Sequence, residues 1–485
     1  MCAGGGARFA GVWEPGAGPS PRKDAIRSAF AATGKSFAAQ TFAATSRLLD
    51  DYVGRWTTMY REACEATNVR GEQSAEVLDL RMSCLGARVE NVRALTDVFA
   101  KADGDIVVNA VSAAGALPPL DGCADVEALR AVVKPPEDPA TRKRVDELRD
   151  ELARVTAIRD AGNCREAERR GTKLIEDVRA TKYRPLLAQT LNVVAYLGNF
   201  CADPALSTTR SKQAYYEAVA GRDDETATVA ASSATIYLAN RLGRPDEARD
   251  WLAIAQASLA RATTRKYLVG SVLTAQGTVL AIDHSVEPFI ATTREAVART
   301  SEAYGPDHYL VLAGLANIGD ALSTVGRYDE AVAADEAALA AATRVLGAEH
   351  PMIASTSSNE CEALNRAGRH AEALERCRRA MKIWAVDGAD PVFRSYGLTG
   401  IGLALLGLGR PAEAIAPLEE AITARVAGHV AVPLQGESRF ALARALWPRP
   451  AERPRALALA RQARADVAGD GKAVAEIDAW LAQAR

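Results

Sequence analysis

A hexapeptide, G-R-x-x-E-A, returns along this chain at nearly constant intervals. Copies begin at Gly243, Gly326, Gly368 and Gly409, and a looser copy, GNCREA, begins at Gly162. Taken in chain order from Gly162, the first two intervals between these glycines are twice the last two. The spacing predicts a repeating unit of about 41–42 residues, which is the signature of stacked supersecondary structures.

The same interval predicts units whose hexapeptide has degenerated. They are expected near residues 203 and 285, and one further unit is expected at the turn WPRPAERP, residues 447–454. About seven or eight units follow from this count, and the clearest copies lie at 310–425.

Each unit is predicted to form two helices, one on either side of the hexapeptide. Gly326, Gly368 and Gly409 follow helical runs, where a residue that tolerates a left-handed conformation would end the first helix. The acidic residue of the E-A step suits the positive N-terminus of the second helix. Alanines recur seven residues apart in that helix, as at Ala331 and Ala338. Small side chains there would let the two helices approach closely.

This pattern resembles the tetratricopeptide repeat, whose small hallmark residues have counterparts at Gly319 and Gly402. The usual period is about 34 residues, and the longer unit here resembles the variant with extended helices. That variant has G-x-x-H-P between units, matched by GAEHP at 347–351 and, without the proline, by GPDH at 305–308. Glu360 departs from the pattern, because an apolar residue is expected at its position.

The resemblance implies an all-α fold, an α-solenoid of tetratricopeptide-like helix pairs. We expect it to occupy residues 136–485, with capping helices at the C-terminus. The proline-rich linker VKPPEDP, residues 133–139, predicts a boundary with a smaller, cysteine-bearing helical domain at 1–135. Apolar stripes in that domain predict two long helices, roughly 37–66 and 74–101, the second capped by Ser74.

Composition and charge exclude several classes of function. The chain has 485 residues, 48% of them hydrophobic and 25% charged, with a formal net charge of -2. No global field therefore favours nucleic acid or anionic membranes. No apolar run is long enough to span a bilayer, so we expect no membrane insertion by this chain itself. The first residues lack the apolar core of a signal peptide, which favours a cytoplasmic location.

A second resemblance concerns the N-terminal third. The segments EACEATNVRGEQSAEVLDLRMSCL (62–85) and GCADVEAL (122–129) are similar to the region that joins kinase to repeats in myxobacterial serine/threonine protein kinases. In that family a kinase domain and usually one transmembrane helix precede the segment, and a tetratricopeptide array follows it. The resemblance implies a sensor or scaffold region of a signalling protein, with a kinase domain in cis or in trans. It also implies an alternative, extracytoplasmic location.

The sequence contains no kinase chemistry of its own. It lacks the glycine-rich loop, the V-A-I-K lysine, the H-R-D catalytic loop and D-F-G. A second interpretation is therefore that the parent protein is a kinase and this chain its non-catalytic part. A third is an enzyme with an unrecognised site in the N-terminal helices.

Other catalytic and metal signatures are also missing, so we expect no catalytic residue, metal or cofactor. The five histidines form no H-E-x-x-H array, and no G-x-S-x-G nucleophile motif occurs. His308 and His350 belong to the turns between units and are expected to be structural.

The eight cysteines leave two interpretations open. No C-x-x-C pair occurs, and free cysteines pack as small hydrophobic residues. The alternative is disulfide bonding, because Cys361 and Cys377 would lie on facing helices of one unit, while Cys164 and Cys201 fall near matching turns of neighbouring units. The candidates for bonding are Cys64, Cys84, Cys164, Cys201, Cys361 and Cys377.

In a tetratricopeptide array the first helix of each pair lines the concave face, which is expected to bind a protein or an extended peptide. Asparagine amides there can both donate to and accept from a peptide backbone. Only two arginines lie at these positions, too few for a clamp on a peptide carboxylate. The candidate residues are Asn192, Asn240, Arg241, Asn317, Asp320, Thr324, Asn359, Glu362 and Arg366. The alternative is a solvated polar face.

Overall fold

The computed structural model describes residues 2, 4–16, 20–199, 201–262, 266–283, 285–387 and 391–484, and no strand occurs among them. The N-terminal third contains 3₁₀ turns at Gly5–Phe9 and Asp121–Cys123 together with helices α1 (Pro21–Ala32), α2 (Ala38–Asn68), α3 (Ala75–Phe99), α4 (Gly104–Gly115) and α5 (Val126–Ala131). The predicted long helices are confirmed as α2 and α3. Ser74 caps α3, since its hydroxyl accepts a hydrogen bond from the Val77 amide at 3.3 Å.

From residue 139 onward, the described part of the chain forms eight helix pairs and one terminal helix. The first helices of the pairs are α6 (Pro139–Asp160), α8 (Arg184–Ala195, continued by a 3₁₀ turn at Tyr196–Asn199), α10 (Asp224–Asn240), α12 (Lys266–Ile282), α14 (Tyr309–Thr324), α16 (Pro351–Arg366), α18 (Pro391–Gly407) and α20 (Val432–Leu446). The second helices are α7 (Cys164–Ala180), α9 (Pro204–Ala220), α11 (Pro245–Arg261), α13 (Val286–Tyr304), α15 (Tyr328–Leu346), α17 (His370–Asp387), α19 (Pro411–Ala427) and α21 (Arg453–Asp466). A 3₁₀ turn at Pro450–Glu452 precedes α21, and α22 (Gly471–Gln483) ends the fold.

The predicted lattice is confirmed along the whole array. The second helices begin at a nearly constant interval, at Cys164, Pro204, Pro245, Val286, Tyr328, His370, Pro411 and Arg453. The degenerate units expected near 203 and 285 therefore start a second helix one residue later, and the turn at 447–454 leads into α21. The fold is an all-α solenoid of helix pairs.

The turn glycines have the left-handed conformation that the sequence predicts. φ is +82° at Gly326, +77° at Gly368 and +70° at Gly409. After α16 the Arg369 amide donates to the Leu364 carbonyl at 2.9 Å, and the Gly368 amide donates to Asn365 at 3.1 Å. This bonding pattern satisfies carbonyl groups left open at a helix end.

The R and E of the hexapeptide form an ion pair, which the repeat pattern by itself did not predict. Nε of Arg369 donates to Glu372 at 2.8 Å, and Nε of Arg410 donates to Glu413 at 2.7 Å. The second guanidinium nitrogen of each arginine reaches the other carboxylate oxygen. This bidentate contact spans the first turn of the second helix, so the motif supports both the turn and the start of that helix.

Contacts divide the chain into two compact units, residues 1–314 and 315–485, and the boundary falls within α14. In the first unit, α6 packs against α3. Ala153, Ala157 and Ala161 join a core that contains Trp13, Trp56 and other N-terminal residues. The domain boundary at residue 135 stays a prediction. Helix α6 lies on the C-terminal side of that boundary and shares this core with residues on the N-terminal side.

The first unit also joins its fourth helix pair to its N-terminal helices. Nε2 of His308, in the turn before α14, lies 3.0 Å from the Gly115 carbonyl at the end of α4. The His308 ring stacks on Tyr304 with centroids 4.5 Å apart. The linker is also held by a hydrogen bond between residues distant in sequence, in which the Val133 amide donates to the Gly221 carbonyl at 3.0 Å. His308 is thus a structural residue, as expected.

Four disulfides pair all eight cysteines. They are Cys2–Cys64, Cys84–Cys123, Cys164–Cys201 and Cys361–Cys377. Cys2 and Cys123 were not among the sequence candidates. The last bond joins α16 to α17 within one helix pair, and Cys164–Cys201 joins the start of α7 to the residues after α8. No helix in the described parts of the chain is both long and apolar enough to cross a bilayer.

Candidate functional site

Six of the nine candidate residues lie on the first helices of two adjacent pairs in the second unit. Their spacing of three and four residues places them on one face of each helix. Equivalent positions on the two helices are one repeat unit apart, and all six side chains are exposed. We call this set the groove face: Asn317, Asp320 and Thr324 on α14, and Asn359, Glu362 and Arg366 on α16.

The other three candidates belong to the first unit and have different surroundings. Asn192, on α8, is half-buried, and its amide oxygen is buried without a hydrogen-bond partner. Asn240 and Arg241 are exposed at the end of α10. Nη2 of Arg241 donates to the Asn199 carbonyl at 2.9 Å, so this arginine is tied to the neighbouring pair.

Two carboxyl groups are buried behind the groove face. Asp335, on α15, is 1% exposed, and Glu360, on α16, is 0% exposed. Burial raises the pKa of Asp335 to about 7, with further contributions from Glu360, Asp320 and Glu362. Burial also raises the pKa of Asp320, and the nearby Glu362 adds to that effect. Burial is the main cause of both shifts in pKa, and the neighbouring carboxylates add to it.

These buried acids stand at positions that other units fill with apolar side chains. Position 335 corresponds to Cys377 one unit later and to Leu418 two units later. Position 360 corresponds to Ile318 and Ile401, which agrees with the departure noted at Glu360. An ion pair with Arg376, whose Nε lies 2.8 Å from the Glu360 carboxylate, partly compensates the charge.

An ionic network continues from the groove face to α20. Arg366 lies 2.9 Å from Glu362 and 3.7 Å from Glu437. Arg425, on α19, lies 3.4 Å from Glu437 and stacks over the Tyr396 ring at 5.1 Å. Burial raises the pKa of Glu437, and the charge of Glu362 raises it further, while the two arginines lower it. The network links α16, α19 and α20 through charged side chains.

Tyr396 and Glu437 were not among the predicted residues, although the repeat spacing contains a signal for them. Ser355 lies one helical turn before Asn359 on the groove side of α16. Tyr396 follows one unit later and Glu437 two units later, so all three share one repeat position. Phe393, one turn before Tyr396, is 57% exposed, and Tyr396 is 38% exposed. When the groove face is extended by one helical turn in this register, it includes exposed aromatic rings beside the ionic network.

No group of three or more His, Cys, Asp or Glu side chains in the described part of the chain is arranged to hold a metal ion. The site therefore contains hydrogen-bonding amides, charged side chains of both signs and exposed aromatic rings on stacked helices.

Two sequence profiles of the tetratricopeptide repeat match this region, one at residues 311–351 and one at 352–425. Residues 311–425 are tetratricopeptide repeats. They include α14 to α17 and continue to α19, so the groove face lies wholly within the matched segment. No curated protein sequence matches the chain.

Several solved structures are similar to the chain. A putative kinesin light chain of Podospora anserina, with nearly identical repeats, has 22% identity and a TM-score of 0.34, covering 42% of this chain and 97% of its own. A signal-transduction ATPase of Pyrococcus horikoshii with a tetratricopeptide repeat sensor has 11% identity and a TM-score of 0.49, covering 87% and 72%. A Rap protein complexed with Competence and Sporulation Factor has 13% identity and a TM-score of 0.46, covering 85% and 100%. Values this low carry no information on ligand or activity.

Proposed function

We propose that this chain is a non-catalytic scaffold or sensor region that binds a protein through an extended peptide segment laid along the groove face. The observation that carries the proposal is the exposure of all six groove-face side chains, in register, within matched tetratricopeptide repeats. First helices of such repeats line the inner face of a solenoid. The amides of Asn317 and Asn359 can pair with a peptide backbone whatever its side chains.

The ionic network and the aromatic rings would add selectivity to backbone capture. Phe393 and Tyr396 offer apolar contact area, and partly exposed aromatic residues are frequent binding hot spots. Because the ion pairs already orient Arg366 and Glu362, less side-chain entropy is lost when a ligand binds.

Site-specific photocrosslinking tests this function. A photoreactive phenylalanine analogue at Asn359 should crosslink a partner from the native host, and the same analogue at Glu375, exposed on the second helix α17, should not. Mass spectrometry of the adduct would identify the crosslinked segment. Equal crosslinking at both positions, or none at Asn359, would contradict binding at the groove face.

We further propose that the chain belongs to a serine/threonine-kinase-type signalling protein, with the kinase domain in cis or in trans. The support is the sequence resemblance of residues 62–85 and 122–129. The Cys84–Cys123 disulfide also ties these two segments together. Reading the genomic DNA upstream of Met1 for an in-frame kinase separates a cis from a trans arrangement. Phosphoryl transfer by the purified chain would contradict its non-catalytic role.

Four disulfides favour an oxidising compartment, because such bonds persist outside the cytoplasm and are rare within it. We therefore propose the extracytoplasmic location rather than the cytoplasmic one. Alkylation of native material followed by mass spectrometry tests this placement. Linked peptides for all four pairs are expected, whereas eight alkylated thiols would rule it out.

A further inference from the structure

Arginines outnumber acids where α20 leads into α21, in the second unit. Residues 440–455 include four arginines and one acidic residue, Glu452. Arg455 lies 3.7 Å from that acid and pairs with it. Arg444, on α20, and Arg453, at the start of α21, are both exposed. Within the described residues, no carboxylate forms an ion pair with either of these two arginines.

The same two arginines are held over aromatic rings. The Arg444 guanidinium lies over the Phe440 ring, 5.9 Å from its centroid, and the Arg453 guanidinium lies 4.9 Å from the centroid of the Trp447 ring. Nε of Arg453 also donates to the Trp447 carbonyl at 3.4 Å. A planar guanidinium stacked on a ring is oriented by that contact, while other N–H donors at its edge stay available for a ligand.

A third ring joins the two stacked pairs. Trp480, on α22, packs edge-on against Phe440 with centroids 5.9 Å apart, and against Trp447 with centroids 5.3 Å apart. All three rings are half-buried, so part of each is open to contact. The two guanidinium groups therefore belong to one continuous surface. We call this surface the arginine–aromatic cluster: Phe440, Arg444, Trp447, Arg453 and Trp480.

Nearby acids do not compensate the charge of the arginine–aromatic cluster. Asp466 forms an ion pair with Arg439, and Asp478 lies 2.5 Å from Arg464. Glu476 is exposed on α22, one helical turn before the third ring of the cluster, and no ion pair joins it to either stacked arginine. The cluster thus combines oriented cations without a carboxylate partner and accessible aromatic area, which together suit an anionic ligand with an apolar part.

The repeat register places the arginine–aromatic cluster beside the groove. Arg444 stands one unit after Leu403 and two units after Glu362, which belongs to the groove face. The first helices of tetratricopeptide pairs line the inner face of a solenoid. Arg444 therefore occupies a groove position of α20, where an extended segment of a partner can reach it.

We propose that the arginine–aromatic cluster binds an acidic peptide segment of a partner protein. Carboxylates of the segment pair with the guanidinium groups of Arg444 and Arg453, and an apolar side chain between them packs on the rings. A guanidinium fork matches a carboxylate in bidentate geometry, and tryptophan and arginine are enriched in binding surfaces. The inference adds a second binding surface and does not depend on what the groove face binds.

Peptide pools test this specificity on the full chain. Each pool is a nonapeptide with a central leucine, flanked on both sides by glutamate, glutamine or lysine, and with uncharged residues elsewhere. Acetylated and amidated ends exclude recognition of a terminal charge. The glutamate pool should be retained on the order of tenfold better than the glutamine pool, and the lysine pool least. Rising salt should reduce the difference.

Matched double variants locate the effect. Arg444→Gln with Arg453→Gln removes both stacked charges and should abolish the preference for glutamate over glutamine. Arg444→Glu with Arg453→Glu should reverse the preference in favour of the lysine pool. The control, Arg461→Gln with Lys472→Gln, removes the same charge from exposed positions about two helical turns from the cluster residues on α21 and α22, and should retain the wild-type preference. Circular dichroism verifies that all variants are folded.

Three outcomes would overturn the proposal. The first is equal retention of the glutamate and glutamine pools by the wild-type chain, which needs no variant. The second is a glutamate preference that survives Arg444→Gln with Arg453→Gln. The third is loss of that preference in the control, because net charge alone would then explain the binding. None of these results bears on the groove face, which the crosslinking at Asn359 tests separately.

Discussion

At Asp335 and Glu360 the chain has carboxyl groups in core positions of its best-matched repeats. Both are essentially inaccessible to solvent. Glu360 forms an ion pair with Arg376, yet neither of its carboxylate oxygens has a hydrogen-bond partner, and Oδ1 of Asp335 also has none. A raised pKa in the folded state means that folding favours the protonated carboxyl group. Near neutral pH these two buried carboxyl groups therefore lower the stability of the fold, and both lie beneath the groove face.

The first prediction concerns Asp335→Asn, which resembles the protonated carboxyl group. In the wild type, the pKa of Asp335 rises from 3.8 to about 7, mainly through burial and then through Glu360, Asp320 and Glu362. Its stabilising contribution is therefore fully present below about pH 4 and is lost as pH rises to about 7. Asp335→Asn should flatten this part of the stability profile and raise stability at pH 8 by at most roughly 4 kcal/mol.

Urea unfolding at pH 5 and pH 8 measures this effect. Glu375→Gln serves as the control and should follow the wild-type profile. A variant that loses stability at pH 8 would show that the Asp335 carboxylate makes a favourable contact there.

The second prediction concerns Gly400, which faces the Cys361–Cys377 disulfide. A Cβ atom at this position would overlap Sγ of Cys377 and would lie 2.9 Å from Sγ of Cys361. Gly400→Ala should therefore destabilise the chain by about 1–3 kcal/mol through overpacking. Gly86→Ala, in α3 where no atom lies within 4 Å of the added methyl group, should be neutral or stabilising. The denaturant midpoints of the two variants test this difference in stability. Equal midpoints would contradict the steric argument.

At the scale of elements, the turn between the two helices of a pair explains why the hexapeptide recurs. The glycine ends one helix in a left-handed conformation, and the arginine and glutamate hold the first turn of the next by a bidentate ion pair. Exposed ion pairs of this kind contribute little individually. The glycine is therefore the residue that the geometry requires most.

The third prediction replaces that glycine. At Gly368 φ is +77°, and the space around a Cβ atom is open. Gly368→Ala should cost about 1–2 kcal/mol, because only backbone strain opposes it. Gly368→Asn should cost less, since asparagine tolerates this conformation better. Thermal unfolding of both variants tests the order, and an alanine variant as stable as the wild type would contradict it.

At the scale of the whole molecule, residues far apart in sequence hold the first unit together. His308 and Gly115 are 193 positions apart, and the bond between them joins a turn between repeats to the N-terminal helices. Burial lowers the pKa of His308 to about 4, so the ring is neutral in the folded protein. The repeats and the N-terminal helices of this unit are therefore expected to unfold together.

The fourth prediction is that His308→Ala loosens both sides of this contact. Amide hydrogen exchange at neutral pH should increase in residues 104–116 and 300–312 together. The free energy of unfolding should fall by about 1–3 kcal/mol. His350→Ala, at the equivalent position one unit later, should increase exchange at the start of α16, where its ring accepts a bond from the Met352 amide at 3.2 Å. Increased exchange on one side of the His308 contact alone would contradict the coupling.

The same variant has a pH signature. His308 contributes stability above its unfolded pKa of 6.5, and that contribution is lost as pH falls through about 4. His308→Ala should therefore be less sensitive to acid than the wild type over this interval, as acid-unfolding curves would measure.

The sequence alone determined the features that depend on local geometry. The repeat period, the helix pairs, the turn glycines and the two long N-terminal helices all follow from patterns within a few turns of chain. Helix periodicity and turn conformation are properties of neighbouring residues, so they can be read without knowledge of the fold. The groove face also follows from register, because the same position in each unit faces the same way.

Only the tertiary structure decided which residues meet across long distances. The ion pair between Arg366 and Glu437, the contact of His308 with Gly115 and the partners of the eight cysteines depend on how helices stack. The repeat register distinguishes Asp320, at a groove position, from Asp335, at a position that other units fill with apolar residues. The raised pKa of Asp335 depends on burial and on the charges of Glu360, Asp320 and Glu362, which only the packing of the helices brings near it.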